Sequence, residues 1–340
     1  MRRGLATAAL ALACAAGQAG PAAPEEHRRT PDQTFLTFPE WYLVHSPAEY
    51  AAYLQVGAPP SAFPLFAHIG QFWQGYAAVN REIEKYPFNG GYHLMVMVIG
   101  TSTTVEYALK GVYEHTVGRL AEATRTGAAP VPEERFAAAY AQAYVDFIRV
   151  EPWYKFDFAS QLKALWSELP LRGENLLRRW ERRFALTSEL LVKEGYARLI
   201  KLGTQSIYDA PKPVTAVLLS KAPQPDAAHA DFAALPGDAS RGVLATIPRY
   251  EGFTAYSRWL AAQGIDFREV AGNDGEIVVS LLAPLGQPLP ASARRLFTQA
   301  VITQPGRERV VLAVPVAGLG ALLREVDARA GVTVEHVYDF

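Results

Sequence analysis

The sequence predicts an α+β protein in two parts, an all-α, aromatic-rich amino-terminal domain followed by a mixed α/β carboxyl-terminal domain. Three observations carry this. Apolar residues recur at helical spacing from about Phe35 to Ala210, β-branched runs and turn signals begin at Pro211, and a strand–helix–strand pattern occurs twice at an offset of 67 residues. The 340 residues are 50% apolar and 20% charged, which supplies a sizeable core and excludes a disordered chain, a collagen-like repeat or a disulfide-stapled miniprotein. Four segments follow: a signal peptide over 1–19, an extended tail over 20–34, a helical domain over 35–210 and an α+β domain over 211–340.

The amino terminus reads as an export signal. Met1-Arg2-Arg3 is a positive start, and Leu5 to Ala13 is an apolar stretch too short to settle across a bilayer. Gly17-Gln18-Ala19 supplies the small residues of a cleavage site, so the favoured cut follows Ala19. Lipidation at Cys14 is the rival, weakened by Ala11 where a large apolar residue is usual; an uncleaved anchor is the other. After the favoured cut no cysteine is left, which removes thiolate and Cys-type zinc chemistry and suits an oxidising compartment. The Ala- and Arg-rich composition reads as bacterial, making the destination a periplasm or cell envelope.

Helices are expected near 46–56, 62–85, 91–123, 132–149, 158–168 and 173–207. Ser46-Pro47-Ala48-Glu49 is a start signal, with Ser as cap, Pro at the first helical position and Glu three residues after the cap. Phe136, Tyr140, Tyr144 and Phe147 share one helix face. Two uncharged runs, Ala51 to Asn80 and Tyr86 to Val105, raise a membrane question. Their prolines, histidines and glutamines make buried helices the better reading.

Of the 38 aromatic residues, 25 lie between Phe35 and Trp166. An apolar or planar ligand would find surface there, and Trp41, Tyr42, His93, Glu106 and Tyr107 are the candidate ligand-binding residues. Grouping His93 and Glu106 with His115 as a metal site fails, because steps of 13 and 9 residues do not share a helix face. Between Leu171 and Lys201, eight basic residues face four acids. Arg178, Arg179, Trp180, Arg182 and Arg183 are therefore the candidate membrane or partner surface, with Leu177, Trp180, Phe184 and Leu191 as the apolar stripe of a basic amphipathic helix.

In the carboxyl-terminal part, Val243 to Pro248 aligns with Val310 to Pro315, Gly264-Ile265 with Gly331-Val332, and Val270 with Val337. Each copy reads strand, helix, glycine stop, strand. With only five identities in 28 aligned positions, the inference rests on pattern. Two such units predict a ferredoxin-like βαββαβ sandwich with both helices on one face of an enlarged sheet. Val214 to Leu219, Glu276 to Leu282 and Leu296 to Thr303 are further strands, and Gly272-Asn273-Asp274-Gly275 and Gln304-Pro305-Gly306-Arg307 read as hairpin turns.

No phosphate loop, nucleophile elbow, zinc-protease motif or paired-cysteine motif occurs, and no cofactor or metal is expected. Asp226, His229 and Asp231 sit in an Ala/Pro loop and read as solvated. A formal charge of -1 offers no general attraction for nucleic acid. The expected function is therefore a non-catalytic binding or assembly module of the cell envelope, meeting an anionic membrane surface or a protein partner. The alternatives are a hydrolase-like enzyme using His93, Glu106 and Tyr107 in an aromatic cleft, or an apolar-cofactor binder using His68 or His93.

Overall fold

A computed structural model describes residues 22–204 and 214–340. The expected signal peptide, Cys14 and the cut after Ala19 lie outside the described residues, as do residues 205–213 around the expected domain boundary. An amino-terminal, mostly helical, aromatic-rich region precedes a mixed region with two four-stranded antiparallel sheets.

The first helix, α1, spans Gln33–Gln55 and departs most from expectation, running through Pro39 and Pro47 instead of starting at Ser46. Each internal proline forfeits a backbone bond and normally breaks a helix at about 3 kcal/mol or more. Here tertiary packing wins. Phe35, Leu36, Phe38, Trp41 and Tyr42 are all buried, and the Ser46 hydroxyl bonds to side chains of other helices in place of capping its own.

Helix α2 is Leu65–Ile83 and α3 is Gly90–Tyr113, the latter capped by the Asn89 side chain, which accepts from the Tyr92 amide. A π-helical turn, Glu114–Gly118, joins α3 to α4, Arg119–Glu122. Helix α5, Pro132–Ile148, opens on proline, with Glu134 closing back on the Val131 amide. Asp157 caps α6, Phe158–Ser167, and α7 runs Leu176–Thr204. These bounds track the periodicity closely from α2 onward.

The strands are β1 (Val214–Leu219), β2 (Ala233–Ala234), β3 (Val243–Pro248) and β4 (Phe267–Val270), then β5 (Glu276–Pro284), β6 (Arg294–Ala300), β7 (Arg307–Pro315) and β8 (Thr333–Val337). Helix α8, Glu251–Ala262, lies between β3 and β4, and α9, Leu319–Asp327, between β7 and β8. Sheet order is β2-β3-β1-β4 in one unit and β6-β7-β5-β8 in the other.

The repeat extends to register. Val214 pairs with Pro248 as Glu276 pairs with Pro315, and Val217 with Val270 as Val279 with Val337. Both central strands slip register at the same place, between Leu218 and Leu219 and between Ser280 and Leu281. The two units do not merge into one sheet. The slot between each pair of parallel strands is filled by the unit's own first strand, β1 or β5, so neither unit needs a strand from the other. Gly272 to Gly275 accordingly links two sheets, while Gln304 to Arg307 is a true hairpin, closed by the Arg307 amide on the Gln304 carbonyl at 3.0 Å.

Period-two alternation places the core. Ile277, Val279 and Leu281 of β5 face inward with Val217, Leu219, Ala245 and Ile247 of the other sheet, around Phe253 and Leu260 of α8 and Leu319, Leu322 and Leu323 of α9. On the opposite face Val278, Val311, Ala313 and Tyr338 lie under Phe35, Phe38 and Trp41 of α1 and Val79 and Ile83 of α2. The helical region thus roofs the second sheet.

Candidate functional site

A polar cluster lies buried under that roof. Ser46 Oγ is 2.9 Å from His68 Nδ1 and 2.8 Å from the Tyr107 hydroxyl. Tyr42 donates to Gln71 Oε1 at 3.0 Å, and Gln71 in turn donates to the Ala300 carbonyl of β6 at 2.7 Å. Arg309 of β7 holds both Glu335 oxygens at 2.6 and 2.7 Å and reaches Glu49 of α1 at 3.0 Å. Trp41 lies against His336, with ring centroids 3.5 Å apart and the planes tilted by 31°.

Burial dominates the electrostatics. It pushes His45 and His68 down to about 4, with the Arg309 charge acting in the same direction on both. It raises Glu49, only partly offset by Arg309. For Glu335 burial also pushes upward, but the bidentate guanidinium outweighs it and brings the carboxyl down to about 2.

Serine, histidine and carboxylate occur in sequence here, the composition of a nucleophilic triad. The geometry opposes that use. His68 Nε2 stands 3.7 Å from Glu49 Oε2 without a hydrogen bond, and Ser46 and His68 are 1% and 0% exposed. A reacting carbonyl needs room about 3 Å from the nucleophile, and these side chains are enclosed. What the cluster does is tie α1, α2 and α3 to the second sheet.

The expected ligand residues therefore divide. Tyr42 and Tyr107 converge on Ser46 and His68, with Trp41 beside them on α1. His93 and Glu106 go elsewhere: His93 bonds to the Tyr76 hydroxyl at 2.7 Å and stacks on Phe88, and Glu106 pairs with Lys193 at 3.1 Å. His115 bonds to the Gly111 carbonyl, and His229 pairs with Asp226 over the Trp259 ring. Sequence reading missed Glu49, Arg309 and Glu335, whose meeting joins segments some 260 residues apart.

Helix α7 overturns the expected basic surface. Arg178, Arg179, Arg182 and Arg183 point inward and are at most 4% exposed. Arg178 reaches Glu134 at 2.9 Å and Glu122 at 2.7 Å, and Arg179 and Arg183 share Glu133 at 3.0 and 2.6 Å. Arg182 binds Glu114 and its neighbour Glu181. At 100 degrees per residue the four arginines span an arc of about 140 degrees, and α5, the π-helical turn, α4 and Glu181 of α7 itself supply the acids that fill it.

The apolar side is left outside. Leu177, Trp180, Phe184, Leu191, Val192, Leu199 and Leu202 are exposed, Trp180 at 43%. Arg183 lies beneath the rings of Trp166 and Trp180, 5.3 and 5.7 Å from their centroids. Helix α3 continues the pattern, with Leu94, Val98, Val105, Leu109, Val112 and, on α4, Leu120 exposed on one face.

The two stripes adjoin. Glu106–Lys193 at 3.1 Å, Lys110–Glu189 at 3.0 Å and Glu114–Arg182 at 2.8 Å place α3 and α7 antiparallel across a seam of ion pairs. At the first two pairs the residue preceding each seam residue is exposed, Val105 and Leu109 on one helix and Val192 and Ser188 on the other. For antiparallel helices that one-residue offset falls on the same side of the seam. Of the 24 large apolar side chains exposed among the described residues, eight lie on the α3–α4 segment and nine on α7. The face is about 40 Å long at 1.5 Å per residue.

Fold and face together define a class: a helical layer with an outward apolar surface, carried on a tandem β–β–β–α–β body. Compared with known proteins, the chain matches no family model, no curated protein and no solved structure.

Proposed function

We propose that the protein is an exported cell-envelope module that lies on a membrane surface through the apolar face of α3–α4 and α7, with no catalysis of its own. The observation that carries this reading is the inverted amphipathicity of α7, arginines in and leucines out. In water each exposed Leu, Val or Phe forgoes roughly 1.5–3 kcal/mol of burial. A face meeting hydrocarbon recovers it.

Lipid is favoured over a soluble partner by the chemistry of the face. The run Tyr86 to Val105 contains no charged residue, whereas a soluble partner's interface carries a polar rim. Trp166 and Trp180 border the face, as aromatic rings border a bilayer's headgroup level. No helix among the described residues is long and apolar enough to cross a membrane, and the proposed placement is an interfacial one. Because the four arginines are paired inside, attachment is apolar in origin and persists at high salt. On this reading each carboxyl-terminal unit is a ferredoxin-like split βαβ serving as a rigid carrier, and the positively charged, apolar leader supports export.

Flotation with phosphatidylcholine vesicles tests the proposal. The wild-type chain is expected to float at low and at high salt, and a Leu109→Glu, Leu199→Glu double variant to remain at the bottom while still folded. Flotation of the double variant, or none by the wild type, would overturn it.

A further inference from the structure

We infer that the groove between α6 and α7 takes one acyl chain of an anionic membrane lipid, whose headgroup rests on Lys163 and Arg198. The inference rests on the membrane reading above and names the lipid that this face selects.

The groove is open to the surface and offers about 480 Å3, within the range of small-molecule sites, and its walls are mainly apolar: Leu162 and Trp166 from α6, Leu191 and Gly195 from α7. Trp166 is a fixed wall, since its indole Nε1 donates to Thr187 Oγ1 on α7 at 3.0 Å. Leu191 belongs both to the groove and to the exposed stripe of α7. The groove is therefore continuous with the apolar face, and a chain enters it sideways from the bilayer without crossing a polar barrier.

Gly195 is the telling residue. It stands inside a long helix, where glycine is among the least favourable choices. A Cβ there would meet nothing within 4 Å, so crowding does not require glycine. Its effect is to keep the groove open. The charge at the rim selects an acidic headgroup: Lys163 is exposed, and Arg198, bonded to Glu194 at 2.5 Å, leaves the rim one positive charge in excess.

Dansylaminoundecanoic acid, an acyl chain with an anionic end and an environment-sensitive fluorophore, is the probe. The full chain is expected to bind it saturably at one equivalent, and lysophosphatidylglycerol to displace it. Gly195→Phe, whose Cβ meets nothing within 4 Å and whose ring would occupy the groove, should weaken binding at least about tenfold, and Lys163→Glu about threefold. Both variants should still float with phosphatidylcholine vesicles. Unsaturable binding, or equal affinity in Gly195→Phe, overturns the groove; displacement by lauric acid but not by the lysolipid overturns the headgroup assignment. A wild-type chain that binds the probe but no vesicle overturns the membrane reading alone, so the two failures are distinguishable.

Discussion

Arg182 and Glu114 meet fork to fork inside the helical region, Nη1 to Oε1 at 2.8 Å and Nη2 to Oε2 at 3.0 Å, with both side chains buried. The sequence provides for this locally. Glu114 opens the π-helical turn, whose extra residue re-aims the helix face, and Gly118 closes it. A Cβ at 118 would lie 2.5 Å from Glu114 Oε2, so only glycine leaves that carboxylate its place.

Removing one partner of such a pair strands the other charge away from water, which costs roughly 3–5 kcal/mol. Arg182→Leu is therefore expected to lower the urea midpoint of unfolding sharply. A solvated arginine would change stability by at most about 0.5 kcal/mol. An Arg182→Leu midpoint equal to wild type would sink the buried-network account of α7.

The histidines under the roof make stability depend on pH. His45 and His68 sit at about 4, mainly through burial, whereas the unfolded chain titrates them near about 6.5. Between those values the unfolded state binds more protons, so stability falls as pH falls from about 6.5 to about 4, by on the order of 3 kcal/mol per histidine at most. Glu335, held down to about 2, continues the loss below the ordinary carboxyl range, while Glu49, shifted upward, acts in the opposite sense. Urea midpoints followed through this interval should show the decline, and His68→Gln should make it shallower while His45 keeps its share. A variant with the wild-type slope would refute the assignment.

The same two carboxylates separate by charge. Arg309 is bidentate to Glu335 but makes one bond to Glu49. Glu335→Gln should therefore cost roughly 3–5 kcal/mol by leaving the buried guanidinium undercompensated, and Glu49→Gln no more than about 1 kcal/mol, since that carboxyl is already disfavoured as an anion. Calorimetry of the two variants checks the order, and a larger loss in Glu49→Gln would reverse the assignment.

What was legible in the sequence was local or periodic. The strand ends at Pro248 and Pro315 and the glycine stops at 264 and 331 revealed both repeat units, but not that β1 and β5 fill the slots, because strand partners leave no local mark. Periodicity separated the two faces of α7 without saying which looked inward; that depended on Glu114, Glu133 and Glu134, which no helix wheel of α7 contains. Ser46-Pro47 imitated a helix start because capping chemistry and tertiary hydrogen bonding use the same hydroxyl. The Glu49–Arg309–Glu335 cluster spans the whole chain, and the residue types alone gave no sign of it.

One substitution made at two glycines gives opposite signs. At Gly195 an added methyl meets nothing within 4 Å, so Gly195→Ala should stabilise by up to about 1 kcal/mol through helix propensity and a less disordered unfolded state. At Gly100 the same methyl would lie 2.3 Å from Phe72 Cε1 and 2.7 Å from Cζ, and Phe72 is itself buried against Tyr42 and Trp73. That ring cannot yield without displacing its neighbours, and overpacking of this kind typically costs 1–3 kcal/mol, roughly, more than the propensity gain. Gly100→Ala should therefore lower the melting temperature while Gly195→Ala raises it. Two shifts of the same sign would mean that α3 does not press against α2 as closely as Gly100 and Phe72 require.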